Sequence, residues 1–443
     1  MPLKGILFFG LFIFCTVGAL FVPYLGVYGY IAHYCINLIA HWWEAPFSGL
    51  GIRYAYTLAL ATAIGSVFQW SKLRFGERFV YNQEFLLFLF LAIVWLSFVL
   101  GERTIGYTTV DHPAVKFTKV AVFTLMMSHI ITDVRKLNGL VWVFVVIAML
   151  LGMKAWSMPD AAFNRGRLEG IGGADFSEAN FFAAFMGAML PFIGVQFLRS
   201  KWYGKAVCTV SAAFTANAVV LCRSRGAFVG LAAGVMVAAL FSPKQYRKKI
   251  AFALVLGMLG GLYVTDKQFL ERISTITTAP DQLDVSAASR LRLWTAGFDM
   301  LTDHPFGIGI GNWYQTIGSY IPEYKGKDSH NTYVKCAAEM GIIGILLYFL
   351  FLLSVYRQLR RVRRLAEHLP SPERDDLIQF SFALTVSLAV ILVCGLTITM
   401  IYTEIIWLLL MLSVCLGRSL DNALQDYGIE VEPNKGISKQ DTI

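Results

Sequence analysis

The sequence predicts an all-α fold: a polytopic integral membrane helical bundle of about twelve transmembrane helices, with one large extramembranous loop containing amphipathic helices. Three observations carry that expectation. The chain is 56% hydrophobic and only 15% charged over 443 residues, with 34 Phe and 10 Trp, too little polar surface to clothe a soluble fold. Apolar runs of roughly 17 to 22 residues recur almost to the C-terminus, each about long enough to cross ~30 Å of hydrocarbon. Basic residues gather in alternate connections between those runs.

The first forty residues admit two readings. Lys4 precedes an apolar run with no small-residue cleavage site, which reads as an uncleaved first helix. After it comes either a second short helix hinged at Pro23, or an interfacial segment carrying Tyr24, Tyr28, Tyr30, Tyr34, Trp42 and Trp43. Further crossings are expected at 54–70, 84–100, 114–131, 139–156, 179–198, 205–222, 226–242, 249–265, 331–356, 377–395 and 400–417. The sequence divides accordingly into N-terminal helices (1–157), central helices (158–265), a long loop (266–330), C-terminal helices (331–420) and a tail (421–443). Lys72/Arg74/Arg78, Arg135/Lys136, Arg199/Lys201/Lys205, Lys244/Arg247/Lys248/Lys249 and Arg357/Arg360/Arg361/Arg363/Arg364 mark the cytoplasmic connections. Topology and attraction to membrane lipids therefore account for the formal charge of +9, which gives no support to a nucleic-acid partner. The seven cysteines lie in or beside apolar runs without disulfide or metal spacing.

The opposite connections are 157–178, the very short 222–226, the long 266–330 and a bend near 396–403. The long one holds six Lys/Arg against eight Asp/Glu, so its arginines need local reasons. Arg165 and Arg167 sit in a Gly-rich stretch ahead of Glu178 and Asn180. Arg223 and Arg225 interrupt nearly forty otherwise apolar residues, where an arginine costs about 2.5 to 3.5 kcal/mol unless it faces water or an anion. The turn places Arg225 and Gly226 at a helix start, whose free N–H groups and dipole favour a bound anion. The alternative is that these arginines reach headgroups or pair with Glu178 or Glu404.

Within the long loop, SAASRLRLWTAGFDMLTDHPFGIGIGN reads as an amphipathic helix stopped by Pro305 and glycines. Arg290 falls with Leu291, Trp294 and Leu301 on the apolar face, aimed at protein or membrane; Arg292 falls with Ala296, Asp299 and Asp303 and is expected in solvent. The plainer alternative is a helix that only covers the bundle. Beyond it comes DSHNTYVKCAAEMGIIG. With Asp328 or Ser329 as N-cap, His330, Val334, Ala337, Gly341, Gly344 and Tyr348 share one stripe, and the two glycines let another helix approach. Glu339 then points away from His330, while Asn331 is placed to orient a polar neighbour.

A histidine that titrates near neutrality, beside arginines that grip a diphosphate through bidentate contacts, suits group transfer from a diphosphate-linked lipid. No metal ligand cluster, Walker-type loop or nucleophile elbow is visible in the sequence, so no metal or cofactor is expected.

His330-Asn331, nine residues, then Gly341-Ile342-Ile343-Gly344 resembles the histidine motif of the bacterial O-antigen ligase and polymerase superfamily. Ser224-Arg225-Gly226-Ala227 resembles its intramembrane arginine motif. Ser289-Arg290 through Trp294, then Asp303-His304-Pro305-Phe306-Gly307 and Gly309-Ile310-Gly311-Asn312, resemble the loop ahead of the histidine. The resemblance implies a metal-independent glycosyltransferase of the bacterial inner membrane, taking glycan from undecaprenyl diphosphate on the periplasmic face. It gives His330 the role of base on the acceptor hydroxyl, and Arg225 and Arg290 that of diphosphate contacts. Arg167 and Asn180 match a family arginine and asparagine, though Ala179 stands where a proline is usual; Arg223, Asn331 and Trp294 complete the substrate-binding candidates. The leading expectation is an O-antigen ligase with lipid A-core as acceptor and an inverting outcome. An O-antigen polymerase, a protein O-oligosaccharyltransferase, and the exosortase-associated ligases that the N-terminal half resembles share this layout. A lipid-linked glycan flippase is the alternative of another class.

Overall fold

The computed structural model describes residues 3–37, 44–101, 111–164, 166–264 and 285–429. Trp42, Trp43, Arg165 and most of the tail expected after 420 lie outside them. Apart from a two-residue antiparallel pair, Phe163–Asn164 (β1) with Arg167–Leu168 (β2), the regular structure of the described residues is helical. The helices are Leu3–Phe21 (α1), Pro23–Ile36 (α2), Ala45–Ser48 (α3), Tyr54–Phe68 (α4), Asn82–Leu100 (α5), Pro113–Ile130 (α6), Val134–Trp156 (α7) and Ala179–Arg199 (α8). They continue with Trp202–Cys222 (α9), Arg225–Phe241 (α10), Arg247–Val264 (α11), Val285–Asp303 (α12), Trp313–Tyr320 (α13), Thr332–Ala366 (α14), Glu373–Cys394 (α15) and Glu404–Asp426 (α16).

Every crossing expected from position 54 onward falls on one of these helices, and the N-terminal ambiguity resolves into two helices hinged at Val22–Pro23. Proline suits that place because its missing N–H lies where a helix start has no acceptor to offer. Seven of the described helices are long and apolar enough to cross a bilayer: α1, α5, α7, α8, α9, α14 and α15. The segments Arg225–Phe241 and Lys244–Gly260 qualify as a pair, bent by 109°. The other expected crossings coincide with helices that are shorter, more polar or more charged. The chain is thus a multi-pass helical membrane protein.

Burial organises the bundle around α16, whose residues from Ile405 to Leu424 are all buried. Trp407 is its packing centre, with ring centroids at 5.2 Å from Phe90, 4.9 Å from Phe117 and 5.3 Å from Phe351. In contrast α1 exposes Leu3, Leu7, Phe14 and Phe21, the surface of a helix facing lipid.

One break in α14 positions the site. Gly341 has φ 68° and ψ −168°, so the helix opens there and leaves carbonyls for another segment. The chain after α12 fills the opening: Ile308 N donates to Ala338 O at 2.9 Å, Gly309 N to Glu339 O at 3.2 Å, and Ile342 N to Pro305 O at 2.9 Å. Glycine is required at the crossing, since a Cβ on Gly341 would stand 2.4 Å from Pro305 O and one on Gly307 2.4 Å from Glu339 O. The expectation that Gly341 and Gly344 admit a neighbouring helix is corrected. Loop backbone lies on Gly341, and Gly344 faces Met340 of its own helix. Periodicity assumes unbroken helix and could not show this.

Around that joint, α12 and α13 build a second small core of Leu293, Ala296, Met300, Ile308, Trp313, Ile317, Tyr324, Val334 and Ala338. The expected helix therefore exists, but the face that rests on α14 is Leu293, Ala296 and Met300; Leu291, expected on the covered face, is exposed, and Ala296, expected on the open one, is buried.

Candidate active site

His330 lies before its helix, not on it. The N-cap of α14 is Asn331, whose Oδ1 accepts from Tyr333 N at 2.9 Å and Val334 N at 3.1 Å. Asp328 and Ser329 are thus not the cap, and the predicted stripe from His330 down to Tyr348 does not form. The reason is competition among good capping residues: the Asp328 carboxylate is taken by other partners, which leaves the cap to Asn331. His330 adopts φ 49° instead, a left-handed conformation uncommon for a side-chain-bearing residue.

Four contacts hold the Asp328 carboxylate. Its Oδ1 accepts from Lys335 Nζ and Tyr314 OH, each at 3.0 Å; its Oδ2 accepts from Thr399 Oγ1 at 2.6 Å and from His330 N at 3.1 Å. Burial alone would raise the pKa of Asp328. The Lys335 ammonium and the Thr399 hydroxyl, with His330 adding to them when protonated, outweigh it and hold the carboxyl down at about 2. Lys335 is almost fully buried, its ammonium 4.0 Å from the centre of the Tyr314 ring. Sequence reasoning missed this pair. The available signal was a lone lysine in an apolar helix two turns after an aspartate.

The imidazole is partly open, its side chain 37% exposed. Burial lowers its pKa below the usual histidine value, Asp328 and Glu178 pull upward, and Arg290 and Lys335 push down. The balance leaves a neutral ring at pH 7. Arg290 and Glu178 therefore share an electrostatic neighbourhood with His330 although α12, the start of α8 and the start of α14 are distant in sequence.

The second station is the turn between α9 and α10. Ser224 caps α10, accepting from Ala227 N at 3.3 Å, so Arg225 and Gly226 open the helix as expected. Arg223 takes φ 45° in the turn and donates through Nη1 to Gly166 O. Arg167 donates to Asn180 Oδ1 at 2.6 Å and to Cys222 O at 3.2 Å, and Ser224 Oγ shares the same Asn180 oxygen at 2.8 Å. Burial lowers the Arg167 pKa, with Cys222, Glu169 and Glu178 acting upward and Arg225 downward. Arg167 and Asn180, singled out separately in the sequence, thus touch directly, and with Ser224 they fasten the β1–β2 turn to α8 and α10.

A single bend joins the two stations. Residues 394–400, between α15 and α16, touch the arginine turn through Cys394 Sγ to Gly226 O at 3.6 Å. They touch the histidine turn through Asn331 Nδ2 to Leu396 O at 3.1 Å, Thr332 N to Gly395 O at 2.8 Å, and the Thr399 bond to Asp328. Glu178 acts on both Arg167 and His330. Trp294 donates its indole N–H to Ser329 O at 3.2 Å, bracing the backbone beside the histidine. Arg292 is set apart as expected, paired at the surface with Glu323 at 2.7 Å. Glu339 also stands away from His330, its carboxylate accepting from Trp313 N and Tyr402 OH.

The arrangement offers an imidazole with Arg290 in its electrostatic neighbourhood, and a turn carrying Arg167, Arg223 and Arg225 tied to the same bend; an imidazole can take a proton and guanidinium groups can hold an anion. No curated protein matches the chain. Residues 210–349, from α9 through the arginine turn, α12, α13 and the broken part of α14, match the family described as O-antigen ligase. Arg167 and Asn180 lie outside the matched span; Arg225, Arg290 and His330 lie within it. The segment that carries Arg225, Arg290 and His330 is thus similar to the O-antigen ligase-like superfamily.

Proposed function

We propose that this protein is an O-antigen ligase that transfers glycan from undecaprenyl diphosphate to a hydroxyl of lipid A-core at the periplasmic face of the bacterial inner membrane. The observation that supports the reading is that the Arg225 turn and the His330 turn are both tied to the 394–400 bend, through Gly226 O on one side and Asn331 and Thr332 on the other, with Arg290 and Glu178 in the electrostatic neighbourhood of His330. The resemblance of the matched span supplies the reaction class.

In the reaction, His330 takes the proton of the acceptor hydroxyl as its oxygen bonds to the anomeric carbon. The bond from that carbon to the diphosphate oxygen breaks, and undecaprenyl diphosphate departs with the electron pair. Arg225, Arg290 and Arg167 hold the charge that develops on it, the kind of electrostatic stabilisation that typically contributes most to such catalysis. Displacement from the opposite side inverts the sugar carbon. A lowered His330 pKa means that the base is already neutral at pH 7, and that transfer falls as pH drops through that pKa.

The test is transfer by purified protein from undecaprenyl-diphosphate glycan to lipid A-core, with a second glycan and a peptide as competing acceptors. His330→Ala abolishes product while chelator leaves the wild-type rate intact. Full turnover by His330→Ala removes the base role, and product on glycan or peptide alone reassigns the acceptor.

A further inference from the structure

Asp328 has no role in the mechanism above, yet it is the most heavily contacted polar group beside the histidine. Its four hydrogen bonds come from Lys335 and from His330 N, from Tyr314 on α13 and from Thr399 on the 394–400 bend. The bond from His330 N closes an Asx-type turn that stabilises the left-handed backbone of the histidine. The same Oδ2 stands 3.8 Å from His330 Nδ1. That separation exceeds a hydrogen bond, but contacts to a catalytic base commonly shorten once substrate is seated.

We propose that Asp328 is the positioning residue of this site: clamped by Lys335, Tyr314 and Thr399, it sets the His330 backbone and turns Nδ1 toward its carboxylate, so that Nε2 is the atom that takes the acceptor proton. The proposal rests on the ligase reading for the identity of the proton donor, but not for the geometry. Lys335 keeps the carboxylate charged, Asp328 fixes the tautomer with hydrogen on Nδ1, and the imidazolium formed during transfer gains a nearby anion. The other charges facing the ring are Arg290 from α12, Glu178 from the start of α8 and Lys335 from α14. Asp328 is thus a carboxylate held fast against the ring amid this mixture of signs.

The experiment reads the ring itself. Diethyl pyrocarbonate modifies imidazole only in its neutral form, so the rate of carbethoxylation at His330 itself against pH, followed by peptide mass spectrometry after reaction of the full-length protein, gives the His330 midpoint without substrate. Asp328→Asn lowers that midpoint by about one pH unit, because an opposite charge at this range raises a histidine pKa by about that much or more. Asp328→Asn alone leaves Lys335 buried beside a neutral amide and can impair folding. The double variant Asp328→Asn/Lys335→Gln removes both charges and decides the matter if the single one does not fold. It lowers the midpoint by a smaller amount. In transfer assays the variants lose at least ten-fold in kcat at pH 7 with donor KM unchanged, and Asp328→Glu recovers part of it. A midpoint that stays at the wild-type value or rises in the folded variant overturns the proposal. Absence of glycan transfer by the wild type, with the midpoint shifted as expected, overturns the ligase reading alone.

Discussion

Arg418 and Arg167 are both guanidinium groups drawn out of water, at opposite ends of the bundle, and their surroundings differ in kind. Arg418 in α16 is fully buried; it meets both oxygens of Glu84 at 2.9 and 2.8 Å and donates to Phe75 O at 3.1 Å, Phe79 O at 2.6 Å and Ser128 O at 3.0 Å. Its charge is cancelled and its donors are used. Arg167 bonds to neutral oxygens of Asn180 and Cys222, with the carboxylates of Glu169 and Glu178 and the like charge of Arg225 in its electrostatic neighbourhood. A guanidinium matched by a buried carboxylate joins helices. A guanidinium whose hydrogen bonds go to neutral oxygens is not bound to one carboxylate and is suited to meet an anion.

The sharpest way to break this contrast is Arg418→Met. Removing one partner of a fully buried pair costs about 3 to 5 kcal/mol, because Glu84 is left charged and unmatched. The expected outcome is a large loss of folded protein, seen as yield and unfolding temperature in detergent, with Glu84→Leu added to Arg418→Met restoring most of it. Transfer per folded molecule stays near wild type.

Next in size are Arg225→Ala and Arg290→Ala. Each lowers transfer by about 100-fold or more, the usual effect of removing a donor aimed at developing negative charge. Unfolding temperature changes little, so stability and activity separate in the direction opposite to Arg418→Met. Lysine at either position recovers only part of the rate, since it lacks the bidentate fork.

Gly341→Ala tests the scaffold between the two ends. The left-handed backbone and the contact with Pro305 O make the substitution cost about 1 to 3 kcal/mol. Protease sensitivity of the segment joining α12 to α13 rises accordingly. Arg292→Ala gives the smallest effect: its pair with Glu323 is on the surface, and neither transfer nor unfolding temperature moves beyond error.

Helix positions were legible because spans are written in runs of apolar residues, and every range read from position 54 onward overlaps a helix. Helical phase placed Arg292 in solvent as found, but it also set Leu291 on the covered face and Ala296 on the open one, and the structure has these two the other way round; Arg225 at a helix start followed from the short turn. The histidine turn was harder. Asp328, Ser329 and Asn331 are all capable caps, and the choice among them depends on Lys335, Tyr314 and Thr399 reaching Asp328 from one helix, another and a bend some seventy residues away. The break at Gly341 was hidden for the same reason, since a glycine reads alike whether it admits a neighbouring helix or a positive φ. Local pattern decides where elements run; pairings across the chain decide which side chains are already occupied.

The claim that cations converge on a diphosphate is tested most directly by binding. Purified protein in nanodiscs is titrated with undecaprenyl diphosphate, with undecaprenol as the uncharged control, for wild type, Arg225→Ala/Arg290→Ala and Arg292→Ala. The account predicts salt-sensitive binding of the diphosphate by wild type and Arg292→Ala, weak binding of the alcohol, and loss of diphosphate binding in the double variant. Equal affinity of the double variant and wild type for the diphosphate would contradict it.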